Sequence, residues 1–129
     1  MKKTRIIIAD DNREINNFIK QFIEAYEEFE IIGCCYTGEE EIDMIRKYEP
    51  DIVITDLIRG DTQSGLTVIR KCKKDKCITH FLVITAADRE LIDMEIMDGY
   101  IQKPITDYNL IINELIRIKK QIVFERLHN

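Results

Sequence analysis

Two aspartates, Asp10 and Asp11, stand side by side directly after the apolar run Ile6-Ile7-Ile8-Ala9. Adjacent carboxylates raise each other's pKa and cost free energy unless something positive neutralises them, so the pair points to a cation. Other chemically capable residues stand at the ends of similar runs. Asp56 follows Ile52-Val53-Ile54-Thr55, Thr85 follows Phe81-Leu82-Val83-Ile84, and Lys103 follows Tyr100-Ile101-Gln102. Three carboxylates around one point form a hard-oxygen site suited to Mg2+ (or Mn2+), which takes one or two carboxylates together with waters and phosphate oxygens. A lysine is a compact cation able to neutralise a phosphoryl group, and a threonine hydroxyl can donate to one of its oxygens. An aspartate can itself be the nucleophile, giving an aspartyl phosphate. Phosphoryl transfer needs mainly positioning and charge neutralisation, which this set supplies.

These residues converge only if the runs that precede them are strands of one sheet. Ile6–Ala9, Ile52–Ile54, Phe81–Ile84 and the more mixed Ile31–Tyr36 are continuously apolar rather than alternating, as expected of strands covered on both faces. Tyr100-Ile101 is a short fifth candidate. Helical spacing separates them. Ile15, Phe18, Ile19, Phe22, Ile23 and Tyr26 predict one helix. Ile42, Ile45 and Tyr48 predict a second, with Glu39, Glu40 and Glu41 suited to the dipole of its first turn. Leu66, Ile69 and Cys72 predict a third, residues 88–97 leave room for a fourth of two or three turns, and Ile111, Leu115, Ile118 and Ile122 predict a long last one. Five βα repeats imply right-handed crossovers. The expected fold is α/β and flavodoxin-like: a doubly wound, five-stranded parallel sheet of order 2-1-3-4-5 with a shortened fourth helix. In such sheets ligands bind at the carboxyl ends of the strands, which is where the five residues fall.

The 129 residues suit one domain, and their 45% hydrophobic and 33% charged content suits a globular chain. A net charge of −5 gives no support for binding nucleic acid. The basic clusters Arg70-Lys71-Cys72-Lys73-Lys74 and Arg117-Ile118-Lys119-Lys120 read as solvated helix faces. No apolar run has membrane-spanning length, and Met1-Lys2-Lys3 leads into a strand rather than a cleavable leader, so the expected location is cytoplasmic. The four cysteines form no CxxC pair and only His80 and His128 accompany them, which disfavours zinc. The expectation is four reduced thiols acting as small apolar residues.

Four segments together, Ala9-Asp10-Asp11-Asn12, Asp51-Ile52-Val53-Ile54-Thr55-Asp56, Ile84-Thr85-Ala86-Ala87 and Tyr100-Ile101-Gln102-Lys103-Pro104, resemble the receiver domain of two-component response regulators, over residues 3 to 120. The opening Ala9–Glu14 is also similar to the start of sporulation-type regulators. The resemblance implies that Asp56 accepts a phosphoryl group from a histidine kinase or phosphotransfer protein. It implies that Asp11 binds Mg2+ directly with Asp10 assisting, and that the Ile58 backbone carbonyl is a further ligand. Lys103 would contact the phosphoryl group and, before phosphorylation, Asp56. Thr85 and the Ala86 backbone would bind phosphoryl oxygens, Tyr100 would be an aromatic switch, and the Lys103-Pro104 bond would be cis. Such a domain catalyses at most its own phosphorylation and dephosphorylation. The alternative is a receiver that works without phosphorylation, as a protein-interaction module.

The chain departs from the family pattern in two places. After the acceptor, Leu57–Gly65 lacks the usual proline and delays the glycine by one position. Between Thr85 and Lys103 the chain is about one helical turn short, which predicts an unusual or locally disordered fourth helix. Residues 1–120 are expected to form the receiver. Residues 121–129 are expected to extend the last helix, exposing Ile122, Val123, Phe124 and Leu127, for dimerisation or as a link to an output domain. A flavodoxin-type protein would want a Ser/Thr/Gly-rich loop after the first strand, and a haloacid-dehalogenase-type phosphatase would want DxD there; neither fits Asp10-Asp11-Asn12.

Overall fold

A computed structural model describes residues 2–57, 65–88 and 94–128. In chain order these form β1 (Thr4–Ala9), α1 (Arg13–Glu24), β2 (Phe29–Cys35), α2 (Gly38–Tyr48), β3 (Ile52–Thr55), α3 (Gly65–Lys74), β4 (His80–Thr85), a 3-10 turn (Met94–Ile96), β5 (Gly99–Gln102) and α4 (Asn109–Leu127). The strands pair in parallel in the order β2-β1-β3-β4-β5, as the alternation of patterns predicts.

Side chains alternate across a strand, and here both faces are covered. Ile6 and Ile8 of β1 point into one cluster with Ile19 and Ile23 of α1 and Ile111, Leu115, Ile118 and Ile122 of α4. Ile7 and Ala9 point into the other, with Ile42 and Ile45 of α2 and Val68, Ile69 and Cys72 of α3. Two cores, one on each side, are why the runs are continuously apolar. The apolar row on α4 runs on to Ile122, as its spacing predicts. Ile122 is buried rather than exposed, because it continues the 111–115–118 row onto the sheet. Val123, Phe124 and Leu127 are exposed.

Local chemistry sets the helix ends near the carboxyl edge of the sheet. Asn12 caps α1 by accepting from the N–H groups of Glu14 (3.0 Å) and Ile15 (3.2 Å), so the helix begins immediately after the acidic pair. Thr37 caps α2 through the Glu40 N–H (3.2 Å), and the Glu40 carboxylate reaches back to the Tyr36 N–H (3.4 Å), a variant of the capping box. In the predicted fourth-helix segment, the described part contains the single 3-10 turn Met94–Ile96; residues 89–93 lie outside the described residues.

One expectation is corrected. Cys72 and Cys77 are not independent thiols: their Cα atoms are 5.3 Å apart and the pair forms a disulfide, while Cys34 and Cys35 remain thiols. The spacing gives no CxxC signature, and the pairing comes from the way α3 terminates.

Gly65, the first residue of α3, abuts the acceptor segment. A Cβ there would collide with the Asp56 carbonyl oxygen and come within 2.9 Å of Thr55 Oγ1. Since backbone atoms cannot yield as a flexible side chain does, Gly65→Ala is expected to destabilise the domain by about 1–3 kcal/mol, measured as a lower urea midpoint at unchanged m-value.

Candidate functional site

The registers bring the strand ends together. Ala9 pairs with Thr55, and Thr85 with Gln102, so Asp10 and Asp56 leave adjacent strands side by side. The Asp56 N–H donates to the Ala9 carbonyl (3.1 Å), and the Lys103 N–H donates to the Thr85 carbonyl (2.8 Å). Lys103 Nζ then reaches back to donate to Asp10 Oδ2 at 2.8 Å and Asp56 Oδ2 at 2.7 Å. Both carboxylates are buried, at 5% and 7% exposure. Asp11 stands exposed beside them. The Lys103-Pro104 peptide is cis.

Thr85 is fully buried at the end of β4, and its hydroxyl accepts from the Ala87 N–H (3.4 Å). Tyr100, half-buried against the α2–α3 core, donates its phenol hydrogen to the Ala87 carbonyl (2.6 Å). The segment after Thr85 is thereby tied both to the threonine and to β5. Ala86 lies exposed between them. Ile58 lies outside the described residues.

Burial by itself would lower the Lys103 pKa. The hydrogen bonds and charges of Asp10 and Asp56 outweigh it and hold the ammonium above its ordinary value of 10.5. One ammonium against two buried carboxylates leaves the cluster negative, and Asp11 adds to that charge. This donor set fits Mg2+. Among the described residues no group of three or more His, Cys, Asp or Glu side chains is placed to cage an ion, and Mg2+ does not ask for such a cage: one or two carboxylates plus waters and phosphate oxygens suffice.

Asn16 has a place here that its sequence context did not reveal. It is completely buried on the sheet-facing side of α1, with Ile19 and Ile23. Its Nδ2 donates to the Asp10 carbonyl at 2.8 Å and, at 3.4 Å, to the Cys35 carbonyl. Asp10 is thus held at four points. Its N–H donates to Cys35 (3.2 Å), its carbonyl accepts from Asn16, its Oδ1 accepts from the Asn12 N–H (2.9 Å), and its Oδ2 accepts from Lys103. The available signal was a lone amide in the apolar row, three residues before Ile19.

A family profile, the response regulator receiver domain, matches residues 6–114. The chain belongs to the response regulator receiver family. Among curated proteins, the probable C4-dicarboxylate response regulator DctR of Priestia megaterium is 27% identical over 126 residues, covering 98% of this chain and 49% of that protein. The Bacillus subtilis uncharacterized transcriptional regulatory protein YvfU is 32% identical over 85 residues, covering 66% of this chain and 42% of that protein. The chain spans about half the length of the curated relatives it matches. Among solved structures, the receiver domain of AraT, a response regulator from Geobacillus stearothermophilus, superposes with a TM-score of 0.83 at 25% identity, covering 97% of this chain and 99% of that one. A DNA-binding response regulator of the LuxR family from Staphylococcus aureus gives 0.80 at 22% identity, covering 89% and 98%. Among the described residues no helix of this receiver is long and apolar enough to cross a membrane.

Two outcomes follow from the receiver's acidic edge. Asn16→Ala leaves the Asp10 carbonyl without its buried donor and is expected to cost about 1–3 kcal/mol, read from urea unfolding. The raised Lys103 pKa has a definite sign: its contribution is complete below the ordinary value of 10.5 and is lost as pH rises through the higher folded value. The stability difference between wild type and Lys103→Met is therefore expected to stay constant from neutral pH to about 10 and to narrow above that, measured by denaturation at each pH.

Proposed function

We propose that this chain is a phosphoacceptor receiver in which Asp56 takes a phosphoryl group from the phosphohistidine of a histidine kinase or phosphotransfer protein. The observation that carries this reading is the Lys103 ammonium bonded at 2.8 and 2.7 Å to Asp10 and Asp56, at the carboxyl edge of the sheet. A carboxylate oxygen of Asp56 attacks phosphorus in line while the P–N bond to the donor imidazole breaks. The leaving imidazole keeps the bond's electron pair. Lys103 follows the charge, exchanging its contact with Asp56 for one with a phosphoryl oxygen.

Asp10, Asp11 and the Ile58 carbonyl would hold Mg2+, which neutralises the phosphoryl oxygens as charge builds on them. The Thr85 hydroxyl and the Ala86 N–H bind the remaining oxygens. Thr85 donates its hydroxyl hydrogen while the same oxygen accepts from the Ala87 N–H, and Tyr100, tied to the Ala87 carbonyl, responds when that segment moves. This makes residues 85–88 and β5 the two-state element. Residues 1–120 act as the receiver in the cytoplasm, and the end of α4, which runs to Leu127, leads toward an output domain or a second copy. The buried Asp10–Lys103–Asp56 cluster favours this reading over a phosphorylation-independent interaction module, which has no use for two desolvated carboxylates held by one lysine.

The test is covalent labelling by a small acyl phosphate, followed by intact mass. Wild type gains one phosphoryl group with Mg2+ and none with excess EDTA, Asp56→Asn gains none, and Lys103→Ala labels on the order of 10²-fold more slowly. Equal labelling of wild type and Asp56→Asn would remove Asp56 from the acceptor role, and no labelling of either would favour the interaction module.

A further inference from the structure

The far end of α3, remote from the acidic cluster, carries a second piece of chemistry. Lys76 sits in the left-handed region at φ 56°. Its N–H donates to the Lys73 carbonyl (3.1 Å), and the next N–H, of Cys77, donates to the Cys72 carbonyl (3.0 Å). This nested pair of bonds is the Schellman closure of a helix C-terminus. In that closure the residue after the left-handed one packs on the residue five before it, normally through an apolar contact. Here those two positions are Cys77 and Cys72.

Two consequences follow. First, the backbone closure itself holds the two Cα atoms 5.3 Å apart, a separation that a disulfide spans without backbone movement. The hydrogen bonds that make this closure are backbone bonds and do not depend on the S–S bond. Second, the pair is asymmetric and reachable. Cys72 is buried, whereas Cys77 is half-buried, and both line a surface cavity of about 350 Å³ between α2 and α3. Lys71, Lys73, Lys74 and Lys76 surround the pair in sequence against one acid, Asp75, a basic setting that attracts an anionic oxidant. The other two cysteines lack these features. Cys34 and Cys35 are consecutive on β2 and pack into opposite cores, so they cannot bridge each other. Burial pushes the Cys34 thiol up, with Lys20 opposing and Glu24 adding to it.

We propose that Cys72 and Cys77 form a reversible thiol–disulfide switch at the α3 terminus, closed by a low-molecular-weight disulfide and reopened by a dithiol. The Cys77 thiolate attacks one sulfur of the oxidant, whose S–S bond breaks to release one thiolate. The Cys72 thiolate then attacks Cys77 Sγ of the mixed disulfide and expels the second thiolate. Two protein thiols are oxidised, the oxidant is reduced to two thiols, and the two protons lost by the cysteines end on them. Where the surroundings are reducing, disulfides that do form are transient or redox-sensing, which suits a bond that can open while the helix stays capped.

The experiment treats the full chain with oxidised glutathione, then alkylates it under denaturing conditions and reads intact mass. The reduced chain has four alkylatable cysteines. The oxidised chain is expected to retain two, Cys34 and Cys35, to carry no glutathione, to remain monomeric through its covalent bonds, and to recover all four with dithiothreitol. Cys72→Ser is expected to stop at a single glutathione adduct, because the mixed disulfide then has no resolving thiol. Four alkylated cysteines after oxidation, covalent dimers, or the same adduct on wild type and Cys72→Ser would each overturn the proposal.

Discussion

The Lys103 ammonium lies between two buried carboxylates that come from different strands, 93 and 47 residues away in the chain. Asp10 and Asp56 are brought together by the pairing of β1 with β3, and side by side in a low-dielectric edge they repel. Breaking a buried charge pair by removing one partner leaves an uncompensated charge and is strongly destabilising. The sheet order therefore has to deliver β5 to the same edge, and the Lys103 N–H, bonded to the Thr85 carbonyl, anchors the backbone from which the side chain reaches across. The site is also part of what holds the carboxyl edge together.

The supports around that interaction are divided between the two faces of the sheet. On one face α1 starts directly after the acidic pair, with Asn12 and Asn16 both committed to Asp10. On the other, Gly65 lets α3 approach the Asp56 carbonyl as closely as a residue without Cβ allows. The opposite edge is polar for structural reasons. There the Asp51 carboxylate accepts from the Arg5 N–H and from the Arg126 guanidinium, both at 2.8 Å, and Thr79 donates to the Pro50 carbonyl at 2.9 Å. These contacts tie the amino-terminal ends of β1, β3 and β4 to α4.

Much of the fold was legible because its signals are local and repetitive. A strand buried on both faces must be apolar at every position, and a helix packed on a sheet must be apolar at every third or fourth. Both rules can be read one residue after another, and they located β1, β3, β4 and most helices within a residue or two. The last helix exposed the limit. Ile122 continues the apolar row of α4, yet whether the sheet extends far enough to cover it cannot be read from α4 alone. Asn16 is similar: its amide looks like a flaw in an apolar stripe until the carbonyls of Asp10 and Cys35 are seen above it.

By itself the sequence determined which residues could carry phosphoryl chemistry, because an acid, a hydroxyl or a lysine at the end of an apolar run is visible without coordinates. It also determined the order of strands and helices, through periodicities that each segment carries alone. Only the tertiary structure decided which of those groups touch, which carbonyls the Asn16 amide holds, and that Cys72 and Cys77 meet through a left-handed Lys76. The reason is the same in each case. These contacts join atoms whose separation depends on strand register and on a single backbone dihedral, and neither quantity leaves a repeating pattern of residue types.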